Sequence, residues 1–213
     1  MKRLKLFLVL CSFTIITSCV TPIPLQEQVP QQEQVGSYSP PDLSVMGKYS
    51  ETIDKNFDDT WTAVIDFVSV SSFSIDNFEK DSGLITLTFG ISDSGRYIDC
   101  GSFSTSGGLV SNFEGQYVDY INGPSRQGSS LSGKMNISIR SVSDSKTNVR
   151  VNARYNWVAG TNGPVYERHN FSFDTGNSAT IFVSNKTSGT IPTRTCVPTY
   201  YAESSVIDFV RSL

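Results

Sequence analysis

Apolar side chains recur at every second residue between Met135 and Trp157, in two runs separated by a short polar segment. The members of the two runs are Met135, Ile137 and Ile139, and then Val149, Val151, Ala153, Tyr155 and Trp157. A period of two places all of these side chains on one face of a β-strand pair. The sequence therefore predicts a β-hairpin with one buried face, connected around Ser143–Lys146.

A second region, near the start of the globular part, combines strand and helix patterns. Gly47–Ile53 predicts a short strand, and Leu84–Ile91 alternates as a second one after a tight turn at Lys80–Gly83. Between them, apolar residues at helical spacing predict a helix over Asp59–Val70, with Asp58–Thr60 as the N-cap acceptors. The apolar stripe of this helix consists of Trp61, Val64, Ile65 and Val68.

The chain ends in another amphipathic segment, which predicts a helix from about Thr199 to Ser212. Its expected apolar stripe is Tyr201, Val206, Phe209, Val210 and Leu213. Such a helix is expected to lie across a sheet. The predicted fold class is α+β, a mainly antiparallel sheet packed by an N-terminal helix and a long C-terminal helix, in one domain over residues 45–213.

The middle of the chain gives weaker patterns. Tyr97–Cys100 and Tyr117–Ile121 are expected to be strands, and so are Val165–Phe173 and Ala179–Val183. The Gly- and Ser-rich stretches at Ser102–Gly108 and Gly123–Gly133 are expected to be loops, since these residues favour turns.

The first nineteen residues have the composition of an export signal. A basic segment, Met1–Lys5, precedes an apolar run, Leu6–Ile16, which is too short to span a membrane. The following Ile16-Thr17-Ser18-Cys19 resembles the lipobox of bacterial lipoproteins. The resemblance implies a signal peptide over residues 1–18 and lipidation of Cys19. The alternatives are an ordinary secretory signal and an uncleaved anchor.

The lipoprotein resemblance also implies a location. Two or more acyl chains on Cys19 give stable membrane anchoring, so the membrane is the first expected partner. Because Val20 replaces the Asp that marks inner-membrane retention, the expected location is the outer membrane, with the domain facing the periplasm.

Residues 19–44 are rich in Pro and Gln and contain the tetrapeptide QEQV twice. A composition with so few large apolar residues predicts a flexible tether between the lipid and the domain. The alternative is a docking peptide that orders on a partner.

Four cysteines occur in the chain, at positions 11, 19, 100 and 196. Cys11 lies in the expected signal and Cys19 in the expected lipid site, which leaves Cys100 and Cys196 in an oxidising compartment. A structural disulfide between them is expected. Two free thiols or a redox pair are the alternatives.

Catalytic motifs are scarce. His169 is the sole histidine, and it lies in an expected strand, where a packed side chain is commoner than a catalytic one. No nucleophile elbow, phosphate loop or zinc motif is present, so neither enzyme activity, nor a metal site, nor a cofactor is expected. The formal net charge of −3 gives no reason to expect a nucleic-acid partner.

Aromatic residues are the remaining candidates for contact with a ligand or partner. They form two groups, Phe113, Tyr117 and Tyr120 in the Gly-rich middle and Tyr200 and Tyr201 before the last helix. Exposed aromatic rings bind sugars or apolar peptides, but packing within the sheet is the alternative reading.

Three segments resemble the BamC-like helix-grip lipoproteins of the outer-membrane β-barrel assembly machinery. These segments are Asp59–Val64, Phe73–Ile75 and Asp81–Thr86. Asp99-Cys100-Gly101 and Cys196 resemble a lipoprotein subgroup in which a cysteine before the last helix pairs with the sheet. The resemblance implies a non-enzymatic accessory or scaffold protein of the cell envelope, linked to outer-membrane protein assembly. The alternative is a binding module for a small apolar ligand, a lipid or a glycan in the cleft between helix and sheet.

Overall fold

The predicted hairpin is the centre of the fold. In the computed structural model, its strands run over Ser129–Ser143 and Lys146–Ala159, joined by a turn at 144–145, and Met135 pairs with Ala153. The structure describes residues 35–44, 47, 49–106, 112–123, 129–159, 169–177, 179–182 and 193–213, all within the compact unit Glu33–Leu213. The expected signal peptide, the expected lipidation of Cys19 and most of the expected tether lie outside the described residues.

The elements of the described residues follow in chain order. The strands are β1 (Val35–Ser39), β2 (Ser50–Ile53), β3 (Ser74–Glu79), β4 (Leu84–Ile91), β5 (Ile98–Asp99), β6 (Ser102–Ser106), β7 (Phe113–Gln116), β8 (Ser129–Ser143), β9 (Lys146–Ala159), β10 (His169–Asp174), β11 (Ala179–Phe182) and β12 (Thr193–Pro198). The helices are α1 (Phe57–Val70), α2 (Tyr117–Asn122) and α3 (Tyr201–Ser212).

The main sheet is antiparallel, with the order β10-β9-β8-β4-β3, and β2 pairs with the first half of β9. Two small antiparallel sheets accompany it, β1-β6-β7 and β11-β12-β5. The predicted α+β class with mainly antiparallel sheets is confirmed.

The core lies between one face of the main sheet and the helices α1 and α3. The alternating side chains of β8 and β9 point into it, and Trp157, Tyr155 and Met135 are fully buried. Phe67 of α1 contacts Phe209 of α3 at 5.6 Å between ring centroids, which joins the two helices over the sheet. The opposite face of the sheet bears the polar residues of the alternation.

Helix α1 begins two residues before the predicted start because its N-cap is Asn56, and not Asp58–Thr60. The Asn56 Oδ1 accepts a hydrogen bond from the backbone N–H of Asp59 at 2.8 Å, and the Asn56 Nδ2 donates to the Asp59 carboxylate. Asp58 and Asp59 lie in the first helical turn, where negative charge is favourable.

Three predictions for the middle of the chain are wrong. Tyr117–Asn122 is a helix and not a strand, because Tyr117, Val118 and Ile121 bury one helical face. Ser102–Ser106 is a strand and not a loop, since it pairs on both sides, with β1 and β7. Part of Gly123–Gly133 is also strand, because β8 begins at Ser129.

The C-terminal helix begins at Tyr201, and its buried face differs from the predicted stripe. Ala202, Glu203, Val206, Ile207 and Val210 are buried, whereas Tyr201 and Leu213 are 37% and 61% exposed. Ala202, Val206, Ile207 and Val210 form the apolar part of this face, and Glu203 is buried beside them with its carboxylate accepting hydrogen bonds from two hydroxyls.

The segment predicted as tether contains β1. Val35–Ser39 pairs with β6 from Val35↔Ser106 to Ser39↔Ser102, and Pro41 is buried. Composition could not indicate this strand, because its partners come from the Gly- and Ser-rich middle of the chain.

Candidate functional site

Cys100 and Cys196 lie at disulfide distance, with their sulfur atoms 2.07 Å apart. Both residues are fully buried, and the flanking strands β5 and β12 pair through Val197↔Asp99. The bond joins the segment before α3 to the region between β5 and β6. A buried cystine between paired strands has a structural role, because no thiolate is exposed to react.

The predicted aromatic group Phe113, Tyr117 and Tyr120 is assembled in the structure. The Tyr120 ring lies 5.1 Å from the Phe113 ring and 6.2 Å from the Tyr117 ring. Phe103 of β6 completes the group, 4.5 Å from Tyr120. The rings therefore pack on one another around α2 and β6.

Two rings of this region, Tyr117 and Phe103, also contact the side chain of Arg194. The Arg194 guanidinium carbon lies 4.2 Å from the Tyr38 ring centroid, 5.2 Å from that of Tyr117 and 5.3 Å from that of Phe103. Cation–π contacts of this kind are stabilising when the cation is desolvated, and Arg194 is buried. The three rings, Tyr38, Tyr117 and Phe103, form what we call the arginine cage.

Tyr38 also fastens β1 to β12. Its hydroxyl accepts a hydrogen bond from the Thr195 backbone N–H at 2.9 Å and donates to the Thr195 carbonyl at 3.2 Å. Burial raises the pKa of Tyr38, against the lowering effects of the Thr195 hydrogen bond and the Arg194 charge. The arginine cage thus connects β1, β6 and α2 to β12 through side-chain contacts inside the domain.

Tyr200 and Tyr201 make separate contacts. Tyr200 stacks on Tyr49 at 6.1 Å and lies so close to Gly47 that a Cβ there would meet its ring. Tyr201 packs edge-on against Tyr97 at 5.2 Å, and the Arg96 guanidinium lies 4.3 Å from its ring centroid. Tyr200 has a left-handed backbone, with φ of 62°, which is uncommon for a tyrosine.

Glu203 was missed by the sequence analysis and is fully buried against the sheet. Its carboxylate accepts hydrogen bonds from the Tyr155 hydroxyl at 2.7 Å and the Thr175 hydroxyl at 2.9 Å. Burial raises the pKa of Glu203, because desolvation outweighs these hydrogen bonds. Burial, together with the Glu203 charge, raises the pKa of Tyr155 as well.

The interface between α3 and the sheet is filled by side chains, since Val206, Ile207 and Val210 are fully buried. A cavity of about 810 Å³ lies instead on the polar face of the sheet, away from the helices. Its lining comes from β4, β8, β9 and the turn after β10. The side chains that reach it from the outer face of the sheet are Thr88, Ser132, Lys134, Asn136, Asn152, Arg154, Asn156 and Asp174.

Two further findings concern catalysis and membranes. His169 begins β10 and pairs with Ala159, and the part of the chain that the structure describes contains no cluster of three or more metal-ligating residues. Among the described residues, no helix is long and apolar enough to cross a bilayer.

No protein-family model matches this chain, and none of the curated proteins or solved structures compared with it does so either. The residues above therefore carry the functional argument by themselves.

Proposed function

We propose that the protein is a lipid-anchored, periplasm-facing lipoprotein of the bacterial outer membrane and a non-enzymatic accessory protein of the cell envelope. The observation that carries the proposal is the pairing of the buried cysteines Cys100 and Cys196 in a chain whose Ile16–Cys19 segment resembles a lipobox. A structural disulfide is typical of an exported domain and rare in the cytosol.

The buried polar groups support a structural interpretation rather than a catalytic one. Glu203 has a raised pKa, as many catalytic carboxyl groups do, but it is closed off from solvent and both of its oxygens accept hydroxyl donors. Arg194 is likewise enclosed by the arginine cage. Neither group can reach a substrate without opening of the core.

Mild cross-linking in cells, purification of the tagged full-length chain and mass spectrometry of the recovered proteins test the accessory role. Recovery of barrel-assembly subunits, or of a defined envelope complex, is the expected result. A Cys19→Ser variant is the matched control, because it removes the lipid attachment and leaves the domain unchanged. Recovery of the chain alone contradicts the proposal.

The cavity on the polar sheet face favours a second candidate, a binding module for a small ligand or glycan. Its volume is within the range of ligand sites, and polar side chains from three strands converge on it. Native mass spectrometry of the purified full-length chain tests this function. A bound species that disappears when Asn152 and Asn156 are both replaced by Ala supports it, and a chain without any bound species, even after incubation with envelope extract, contradicts it.

A further inference from the structure

The outer face of the β8–β9 hairpin is positively charged, although the whole chain carries a formal net charge of −3. The two strands contain five basic residues, Lys134, Arg140, Lys146, Arg150 and Arg154, and no Asp or Glu. All five occupy the positions of the alternation that point away from the core. We call this surface the cationic face, and the cavity lies at its end nearest β10.

Two of these five cations form ion pairs with carboxylates. Lys134 forms an ion pair with Asp76 at 2.8 Å, and Lys146 forms one with Asp54 at 3.1 Å. The three arginines make no ion pair with any residue that the structure describes. Their charges are therefore available to a partner.

Arg154 is the arginine that lines the cavity. In the register of the sheet it lies between Lys134 of β8 and Asp174 of β10. Asp174 does not pair with it, because its Oδ1 accepts hydrogen bonds from the Gly176 backbone N–H at 3.0 Å and from the Asn177 amide at 2.8 Å. Asp174 therefore forms no ion pair with Arg154, and both side chains line the cavity.

Side-chain amides surround this cation. Asn152 lies on the same face as Arg154, about 7 Å along the strand, and pairs in register with Asn136. The Asn136 Oδ1 accepts from the Thr86 hydroxyl at 3.0 Å, which leaves its NH₂ as a donor. Asn152 makes no side-chain hydrogen bond to any described residue. Amides of this kind can donate to and accept from the hydroxyl groups of a sugar.

We propose that the cavity binds an anionic glycan, with the Arg154 guanidinium holding the carboxylate or phosphate and Asn152 and Asn136 holding neighbouring hydroxyls. The inference rests on the second candidate function, that of a binding module, and names its ligand class. A guanidinium can bind either anion through two parallel hydrogen bonds.

The shape and chemistry of the site distinguish this ligand from other anions. A cavity of about 810 Å³ has room for a small oligosaccharide, whereas a flat lipid surface would contact it only through single headgroups. A single-stranded nucleic acid would need aromatic platforms for its bases, whereas Phe89, the one aromatic residue among the described residues of the lining, is 5% exposed. The acidic group of a polyhydroxylated acid can bind the Arg154 guanidinium, and its hydroxyl groups can hydrogen-bond with the asparagine amides.

Isothermal titration of the full-length chain in nonionic detergent tests the proposal, at low ionic strength. The probes are trigalacturonate, its neutral methyl ester, 6-phosphomaltotriose and neutral maltotriose. At least one acidic probe is expected to bind at least tenfold more tightly than its neutral counterpart, and the acid that binds identifies the anion as a carboxylate or a phosphate.

Arg154→Gln is expected to weaken that binding at least tenfold. Arg140→Gln is the matched control, because Arg140 lies on the same face but about 20 Å away along the hairpin, and it should change binding less than threefold. Both positions are exposed, and unchanged thermal unfolding of the variants shows that they fold.

Four outcomes overturn the proposal. Equal affinity for an acid and its neutral counterpart refutes the anionic ligand but leaves the binding module standing. Equal losses in the two arginine variants, or binding to phosphatidylglycerol vesicles in place of any sugar, show a general electrostatic surface. Absence of binding to all four probes at millimolar concentration refutes the inference, while the lipoprotein proposal is tested separately by its own cross-linking experiment.

Discussion

Replacement of Glu203 by Gln and by Ala tests how this buried carboxylate is accommodated. In the Gln variant, the side-chain oxygen can still accept from the Tyr155 hydroxyl. The amide nitrogen can donate to the Thr175 hydroxyl, which then donates to the Ala153 carbonyl 3.1 Å away. Both hydroxyl partners are retained and no charge is buried, while the second amide hydrogen has no acceptor, so Glu203→Gln is expected to lose less stability than Glu203→Ala at pH 7.

Glu203→Ala removes the acceptor of the Tyr155 hydroxyl and leaves a buried donor without a partner. That loss costs about 1–3 kcal/mol. One buried methylene group is also lost, at about 0.8 kcal/mol. The free energy of unfolding should therefore fall by roughly 2–4 kcal/mol, which lowers Tm by about 5–15 °C in a domain of this size. Thr175 adds little, because its hydroxyl also reaches Ala153.

The pH dependence has a defined sign. Folding raises the pKa of Glu203 above its ordinary value of 4.5, so the folded chain binds this proton more tightly than the unfolded chain does. The stability contributed by the protonated form is fully present below pH 4.5 and is lost as the pH rises through the folded pKa. The wild type should therefore lose stability relative to Glu203→Gln as the pH rises from 4 to 8.

Urea unfolding at several pH values measures these differences, and the fluorescence of the buried tryptophans Trp61 and Trp157 reports the transition. A difference between wild type and Glu203→Gln that does not change with pH would show that Glu203 does not titrate with a raised pKa. Equal losses in Glu203→Gln and Glu203→Ala at pH 7 would show that the hydrogen bond to Tyr155 is not what stabilises this side chain.

Three further predictions concern the packing of β8, the attachment of β1 and the disulfide. Gly133→Ala should lower the free energy of unfolding by about 1–3 kcal/mol, because a Cβ there would meet an aromatic ring and the backbone of the next strand. The control Gly90→Ala has open space and should change it by less than about 0.5 kcal/mol. Urea unfolding measures both values, and equal losses would contradict the close packing at Gly133. Tyr38→Phe should increase hydrogen exchange of the β1 amides because it removes both hydrogen bonds to β12, and unchanged exchange would show that β1 is held by its pairing with β6 alone. Replacement of both Cys100 and Cys196 by Ser should lower the free energy of unfolding by up to about 4–5 kcal/mol, because the disulfide closes a loop of 96 residues. A double variant as stable as the wild type in urea would show that the disulfide does not constrain the unfolded chain.

The sequence predicted the elements whose patterns are local and long. Leu84–Ile91 and the strands around the 144–145 turn have the predicted alternation, because a period of two over many residues is compatible with only one way of burying a face. The helix Phe57–Val70 was also predicted, apart from its cap. Asn56 could have been recognised as the N-cap, since it stands three residues before Asp59.

The remaining parts depend on contacts between distant segments. β1 and β6 look like linker and loop by composition, and they become strands because their main chains pair with each other. Tyr117–Asn122 is too short for its helical pattern to be distinguished from a strand.

The candidate site also depends on contacts between residues that are distant in sequence. The sequence indicates Phe113, Tyr117 and Tyr120 as candidate ligand contacts with packing as the alternative, and the structure brings the three rings together. Arg194, which contacts Tyr117, comes from a distant part of the chain, so no local pattern could indicate that the cage holds an internal cation. Arg154 and Asn152 stand in the polar half of the predicted alternation, which was the available signal for the cationic face.

Mass spectrometry of the N-terminal peptide of the mature protein, isolated from its own cell envelope, tests the proposed lipid anchor. We expect a chain that begins at Cys19 with a diacylglyceryl group on its sulfur, and a Cys19→Ser variant that is not processed at this position. A mature chain that begins at another residue, or an unmodified Cys19, would refute the proposed lipidation.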